Sequence, residues 1–85
     1  MSLLENLTQL RRHCDAIAAH RRETIDEIRA RLSEEVPAEW SKTFSHIYLE
    51  TNAANLTRCE AEEKKWRQWG ESVAQAILKL TPEQL

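Results

Sequence analysis

Glycine and proline are scarce in this sequence. Its 85 residues include one glycine, Gly70, and two prolines, Pro37 and Pro82. Tight turns depend on these residues, because glycine reaches backbone angles that are closed to other residues and proline fixes one of its own. The scarcity leaves few places where the chain can turn, and a single glycine cannot form a glycine-rich phosphate loop. It predicts an all-α chain with few, long helices.

Long apolar runs and a strong charge bias are also missing. No stretch approaches the roughly 18 apolar residues that span a membrane, and the net charge of -2 disfavours a globally basic nucleic-acid binder. The N-terminus lacks the basic start and apolar run of a secretory signal. Because the two cysteines are far apart in the sequence, they form no metal-binding pair. We therefore expect a cytoplasmic protein with reduced thiols, no membrane segment and no cofactor.

The residues that are present describe one helical domain over 1–85. Hydrophobic residues make up 41% of the chain and charged residues 31%, which is typical of a folded protein. Apolar side chains recur at steps of three and four, the spacing of one helix face. This periodicity predicts a first helix over about 2–34 and a second over about 38–69, with Pro37 in the first turn of the second helix.

Gly70 leaves two alternatives for the end of the second helix. A glycine inside a helix costs about 1 kcal/mol relative to alanine, and glycine is also the residue that most often ends a helix. In the second case Ser72 caps a short third helix over about 72–80, and Gln75 completes a capping box. Of the two, the break at Gly70 is favoured.

A tight turn at 35–37 predicts an antiparallel hairpin in which residue i faces about residue 73 − i. This register places Cys14 opposite Cys59, either as two reduced core residues or, alternatively, as a disulfide across the hairpin. It also leaves 71–80 with nothing opposite them in the same chain. The apolar side chains of that segment then need cover from a third helix or a second chain. We therefore expect a homodimer that forms a helical bundle.

Apolar side chains that the hairpin leaves uncovered are candidate contacts for the dimer or for another protein. Tryptophan is enriched at binding hot spots, and two of the three tryptophans fall near the open end of the hairpin. The alternative is that these rings only close the core. The candidates are Leu49, Leu56, Trp66, Trp69, Val73, Ile77 and Leu80.

A basic stretch on the first helix has two interpretations. The predicted register brings Arg21 to asparagines of the second helix, as a polar layer that fixes helix pairing. The alternative is contact with nucleic-acid phosphates. Acidic partners within the hairpin would favour the first interpretation. The residues concerned are Arg11, Arg12, Arg21, Arg22, Asn52 and Asn55.

The sequence favours binding over catalysis. It contains no Glu-x-x-His, His-Glu-x-x-His or paired Cys-x-x-Cys motif, so no catalytic or metal-binding residue is assigned. We expect a small non-enzymatic protein-interaction module, such as an adaptor, regulator or inhibitor of a larger protein, that works through helix faces and homodimerisation. In size and economy it is similar to small proteins of phages and mobile elements. The alternatives are a nucleic-acid-associated regulator that uses 11–22 and a structural subunit of a larger assembly.

Overall fold

Two long helices form an antiparallel hairpin in the computed structural model, which describes residues 2–84. Helix α1 spans Leu3–Ser33, helix α2 spans Lys42–Leu78, and a short 3-10 turn follows at Pro82–Gln84. The molecule is a rod of 67 × 17 × 14 Å. The predicted all-α helical hairpin is confirmed. Over the described residues, no helix combines the length and apolar character needed to cross a membrane.

Capping serines fix the starts of both helices. Ser2 Oγ accepts a hydrogen bond of 3.1 Å from the amide of Glu5, and Ser41 Oγ accepts one of 3.1 Å from the amide of Phe44. Such a bond satisfies a backbone donor that the first turn of a helix leaves unpaired. Helix α1 matches its predicted span to within one residue at each end, whereas α2 begins at Lys42, later than predicted.

Pro37 lies in the connector 34–41 rather than in the first turn of α2. Its carbonyl accepts a hydrogen bond of 3.1 Å from the amide of Trp40, which closes a turn. The Trp40 ring packs edge-on against Phe44 and Tyr48, with centroid distances of 4.8 and 5.2 Å. The Trp40 side chain of the connector therefore packs against one side of the first two turns of α2.

The two helices meet in a register that differs from the predicted one by about eleven residues. Gly70 lies against Cys14, since a Cβ built on the glycine would be 3.5 Å from the Cys14 Cβ. Cys59 packs in one cluster with Ile25 and Ile28. In both places residue i faces about residue 84 − i. The longer connector explains the difference, because it lets α2 begin beyond the end of α1.

This register removes the predicted overhang at the end of α2. Val73 of α2 and Leu10 of α1 line the same groove, so this part of α2 does have a partner within the chain. Helix α2 is continuous through Gly70, whose φ is not positive. The predicted break at this glycine and the separate helix over 72–80 are therefore wrong.

The predicted pairing of Cys14 with Cys59 is also wrong. Both cysteines are free and buried, but Cys14 faces Gly70, which lies eleven residues beyond Cys59 in α2. Eleven residues of α-helix span about 16 Å, which is far beyond the reach of a disulfide. The two thiols therefore belong to separate layers of the core.

The buried core is a narrow seam between the helices. Only one side chain, Ile25, is large and fully buried among the described residues. Leu32 and Leu56 pack against it while remaining partly exposed. The apolar side chains that are buried in residues 2–84 are Cys14, Ala18, Ile25, Ile28 and Cys59.

Substitution of Gly70 tests the continuous helix. We expect Gly70→Ala to leave the free energy of unfolding unchanged or to raise it by up to about 1 kcal/mol, because alanine is the better helix former. The new Cβ would come 2.9 Å from Asp15 Oδ1, but the Asp15 side chain is exposed and can rotate away. Gly70→Leu should lower stability by about 1–3 kcal/mol, because a larger side chain presses on Cys14.

Urea unfolding of the two variants and the wild type provides the measurement. A loss of about 1 kcal/mol or more in Gly70→Ala would contradict this expectation; if the loss persisted in an Asp15→Ala background, the glycine would occupy a left-handed cap and α2 would end there.

Candidate functional site

An apolar groove lies between the two helices, in the half of the hairpin that contains the chain termini. Its volume is about 420 Å³, and the surface that it exposes is apolar. Residues three or four apart share a helix face, so each helix contributes a short row of side chains to one wall. The lining residues are Leu10, His13 and Cys14 from α1 and Trp66, Trp69, Ser72 and Val73 from α2. We call it the Trp66–Trp69 groove.

Edge-on contacts hold the tryptophan rings of the groove. The Trp66 and Trp69 ring centroids are 4.7 Å apart, and His13 lies 6.0 Å from Trp66. Lys65 Nζ lies 4.8 Å from the centre of the Trp69 ring, within the range of a cation–π interaction. Trp66 is half-buried, whereas Trp69 is 45% exposed. The groove therefore offers a preorganised aromatic wall to solvent.

Gly70 allows the floor of the groove to form. Because it has no side chain, α1 approaches α2 closely at Cys14, which is buried beneath the groove. Trp66 and Val73, one turn to either side of the glycine, flank this contact. The depth of the groove thus depends on a small residue between two larger ones.

The structure brings three of the predicted contact residues together, because Trp66, Trp69 and Val73 all line the groove. Ile77 and Leu80 are half-buried and lie one and two turns beyond Val73. Ile77 continues the apolar side of α2 towards the end of the hairpin, and Leu80 follows just beyond the end of the helix.

The remaining predicted contacts lie outside the groove. Leu56 packs against the core cluster, and Leu49 is exposed near the connector. Leu10 and His13 belong to the groove but were not predicted as contacts. The predicted register had placed Trp66 beside Leu7, about one turn away from Leu10, so the α1 wall could not be assigned.

A second apolar patch projects from α2 at the connector end of the hairpin. Phe44 and Ile47 are 53% and 55% exposed, and they are three residues apart on the same side of the helix. Trp40 supports Phe44 from behind in the edge-on contact described above. The predicted register brings Phe44 or Ser45 opposite Ile28 in the core, whereas the structure leaves Phe44 on the surface. We call this patch the Phe44–Ile47 knob.

A polar layer crosses the middle of the hairpin. Arg21 Nε lies 2.7 Å from Glu62 Oε2. This Nε is buried, and the contact lacks the alignment of a hydrogen bond, so the attraction is that of an ion pair. Next to Glu62, the buried Glu63 pairs with Arg67 on the same helix. The layer separates the groove from the Ile25 cluster.

A polar layer around Arg21 was predicted, but its predicted partners, Asn52 and Asn55, are wrong. Asn52 is buried and donates its side-chain amide to the carbonyl of Tyr48, at 2.9 Å. Asn55 is half-buried and lies seven residues before Glu62, about two turns away along α2. The shift in register accounts for the change of partner.

Acidic side chains neutralise much of the basic stretch on α1. Arg11 and Arg22 each lie 3.7 Å from an aspartate one turn further along, Asp15 and Asp26 respectively. The ion-paired arginine of the polar layer belongs to the same stretch, and Arg12 is exposed. Exposed pairs of this kind contribute only about 0–1 kcal/mol to stability, but they reduce the positive potential that phosphates would meet.

The chemistry available at the groove is that of an apolar and aromatic surface. Within residues 2–84, no group of three or more histidine, cysteine, aspartate or glutamate residues is placed to hold a metal ion. Neither a protein-family model, nor a curated protein, nor a solved structure matches this chain. The groove and the knob are therefore interpreted from their own geometry.

The state of the cysteines provides a test of this geometry. We expect a thiol reagent to label Cys14 and Cys59 slowly in the native protein, because both are buried. In denaturant without reductant, it should label two thiols per chain. Thiol titration before and after unfolding gives both values. Recovery of the two thiols only after reduction would indicate a disulfide between Cys14 and Cys59 and contradict the observed register.

Proposed function

We propose that this protein is a small non-enzymatic protein-interaction module that binds through the Trp66–Trp69 groove. The observation that carries the proposal is the position of Trp69, which is 45% exposed in a preorganised apolar groove. Exposed apolar patches on small proteins commonly mark interaction sites, and tryptophan is enriched among the residues that dominate binding energy. A groove between two helices suits the apolar face of a third helix.

The surface area of the chain supports a role with a second macromolecule. The chain exposes 6488 Å², whereas a compact monomer of 9.9 kDa exposes about 5,200 Å². The excess of about 1,300 Å² is larger than the roughly 800 Å² that each partner contributes to a standard interface. Homodimerisation into a helical bundle is part of the proposal, because a second copy of the chain would cover this excess surface.

An adaptor, regulator or inhibitor of a larger protein remains the proposed class. Two free, buried thiols are consistent with the reducing cytoplasm. A nucleic-acid-associated regulator has less support, since acidic side chains pair with Arg11, Arg21 and Arg22. A structural subunit of a larger assembly would use the same groove, and insolubility of the chain expressed alone would distinguish it.

Charge placed in the groove should abolish partner binding. Trp69→Glu introduces a carboxylate on the apolar wall, and its burial against a partner is unfavourable. Leu78→Glu is the matched control, because Leu78 is 78% exposed and lies outside the groove. Quantitative affinity capture from the source cells, with circular dichroism to confirm folding, compares both variants with the wild type. A partner retained by Leu78→Glu and lost by Trp69→Glu is expected; equal retention would contradict binding through the groove.

A further inference from the structure

We infer that a second copy of this chain occupies the Trp66–Trp69 groove when no other protein is bound, and that it does so with its Phe44–Ile47 knob. The inference rests on the proposed function, because it names a partner for the same groove. It describes an antiparallel dimer in which each copy supplies one knob and one groove. The groove would thus be covered until another protein competes for it.

The knob and the groove are complementary in shape and chemistry. The groove is a concave apolar space of about 420 Å³, and the knob presents two adjacent apolar side chains that are more than half exposed. Two grooves facing each other would enclose an empty space, and unfilled apolar cavities are destabilising. A projecting pair of side chains fills the space instead. Support of Phe44 by Trp40 reduces the entropy that the knob loses on docking.

The positions of knob and groove on α2 allow both contacts of a dimer to form at once. Ile47 and Trp69 are separated by about six helical turns, so they lie on the same side of α2. Arg58 lies midway between them, and the midpoint of α2 itself is Glu60. A two-fold axis close to Arg58 brings each knob to the other copy's groove while the two rods overlap over almost their whole length. Arg58 lies about three turns from both Ile47 and Trp69, so the two Arg58 side chains meet near the axis, and their exposed guanidinium groups must turn outward to solvent.

The large surface area of the single chain agrees with a dimer in which the two rods overlap over almost their whole length. A rod 67 Å long that pairs side by side covers one long face of each copy. The excess area of about 1,300 Å² per chain is enough for an interface of standard size or larger. A contact confined to one end of the rod would leave most of this excess exposed.

Mixing of two variants tests the knob-in-groove contact. Phe44→Lys/Ile47→Lys removes the knob, and Trp69→Glu damages the groove. Each variant alone should weaken dimerisation by at least about 30-fold, the loss typical of a hot spot. An equimolar mixture should regain part of the dimerisation, because the mixed dimer keeps one intact knob-and-groove contact and its second contact sets lysine against glutamate, whereas each variant alone keeps no intact contact. Sedimentation velocity on the full chain measures both, with Leu78→Glu as the control that keeps wild-type association.

A distance measurement tests the antiparallel arrangement independently. Gln75 is exposed, so Gln75→Cys can carry a spin label while Cys14 and Cys59 stay buried. An axis near Arg58 places the two labels about 50 Å apart. A parallel dimer with groove against groove would place them within about 35 Å, since the labels then lie at the same level of the bundle. Pulsed electron paramagnetic resonance distinguishes the two distances.

The outcomes separate this inference from the function on which it rests. A wild type that stays monomeric, a mixture that does not regain dimers, or a short label distance overturns the inference. In each case Trp69→Glu can still abolish capture of another protein, and the groove then remains a binding site. If Trp69→Glu changes neither self-association nor capture, the proposed function fails as well.

Discussion

The close approach of α1 and α2 at Cys14 and Gly70 is the constraint on which the rest of the hairpin depends. Two packed helices can slide along each other until a specific contact fixes their register. A glycine facing a small side chain provides that contact. With the register fixed, Cys59 lies beside Ile25 and Arg21 beside Glu62. The two tryptophans that precede the glycine, Trp66 and Trp69, then become the wall of a groove rather than the end of a core.

A two-helix rod can bury only one face of each helix, so its core remains a narrow seam however long the helices are. Among the described residues, five apolar side chains are buried, and the polar layer at Arg21 and Glu62 interrupts the seam that they form. Small domains usually need additional stabilisation from a metal, a disulfide or a partner. The exposed groove and knob are surfaces that a partner could cover with gain, because both are apolar and preorganised.

The faces of the helices could be predicted from the sequence, but their register could not. Eleven residues make about three helical turns, so a slip of that size presents nearly the same apolar face to the partner helix. Apolar periodicity therefore could not distinguish Cys14 opposite Cys59 from Cys14 opposite Gly70. Ser41 was the missed signal, because its capping bond to Phe44 starts α2 later than Pro37 had indicated. Trp66 and Trp69 were predicted as contacts, whereas the α1 wall at Leu10 required the register.

Small-angle X-ray scattering over a concentration series measures most directly whether the exposed face of the rod recruits a second copy side by side. We predict that the scattering mass rises from the 9.9 kDa of one chain to twice that value, while the maximum dimension stays close to the 67 Å of a single rod. A mass of one chain at every concentration would contradict this. So would a doubled mass whose maximum dimension approaches twice the length of the rod.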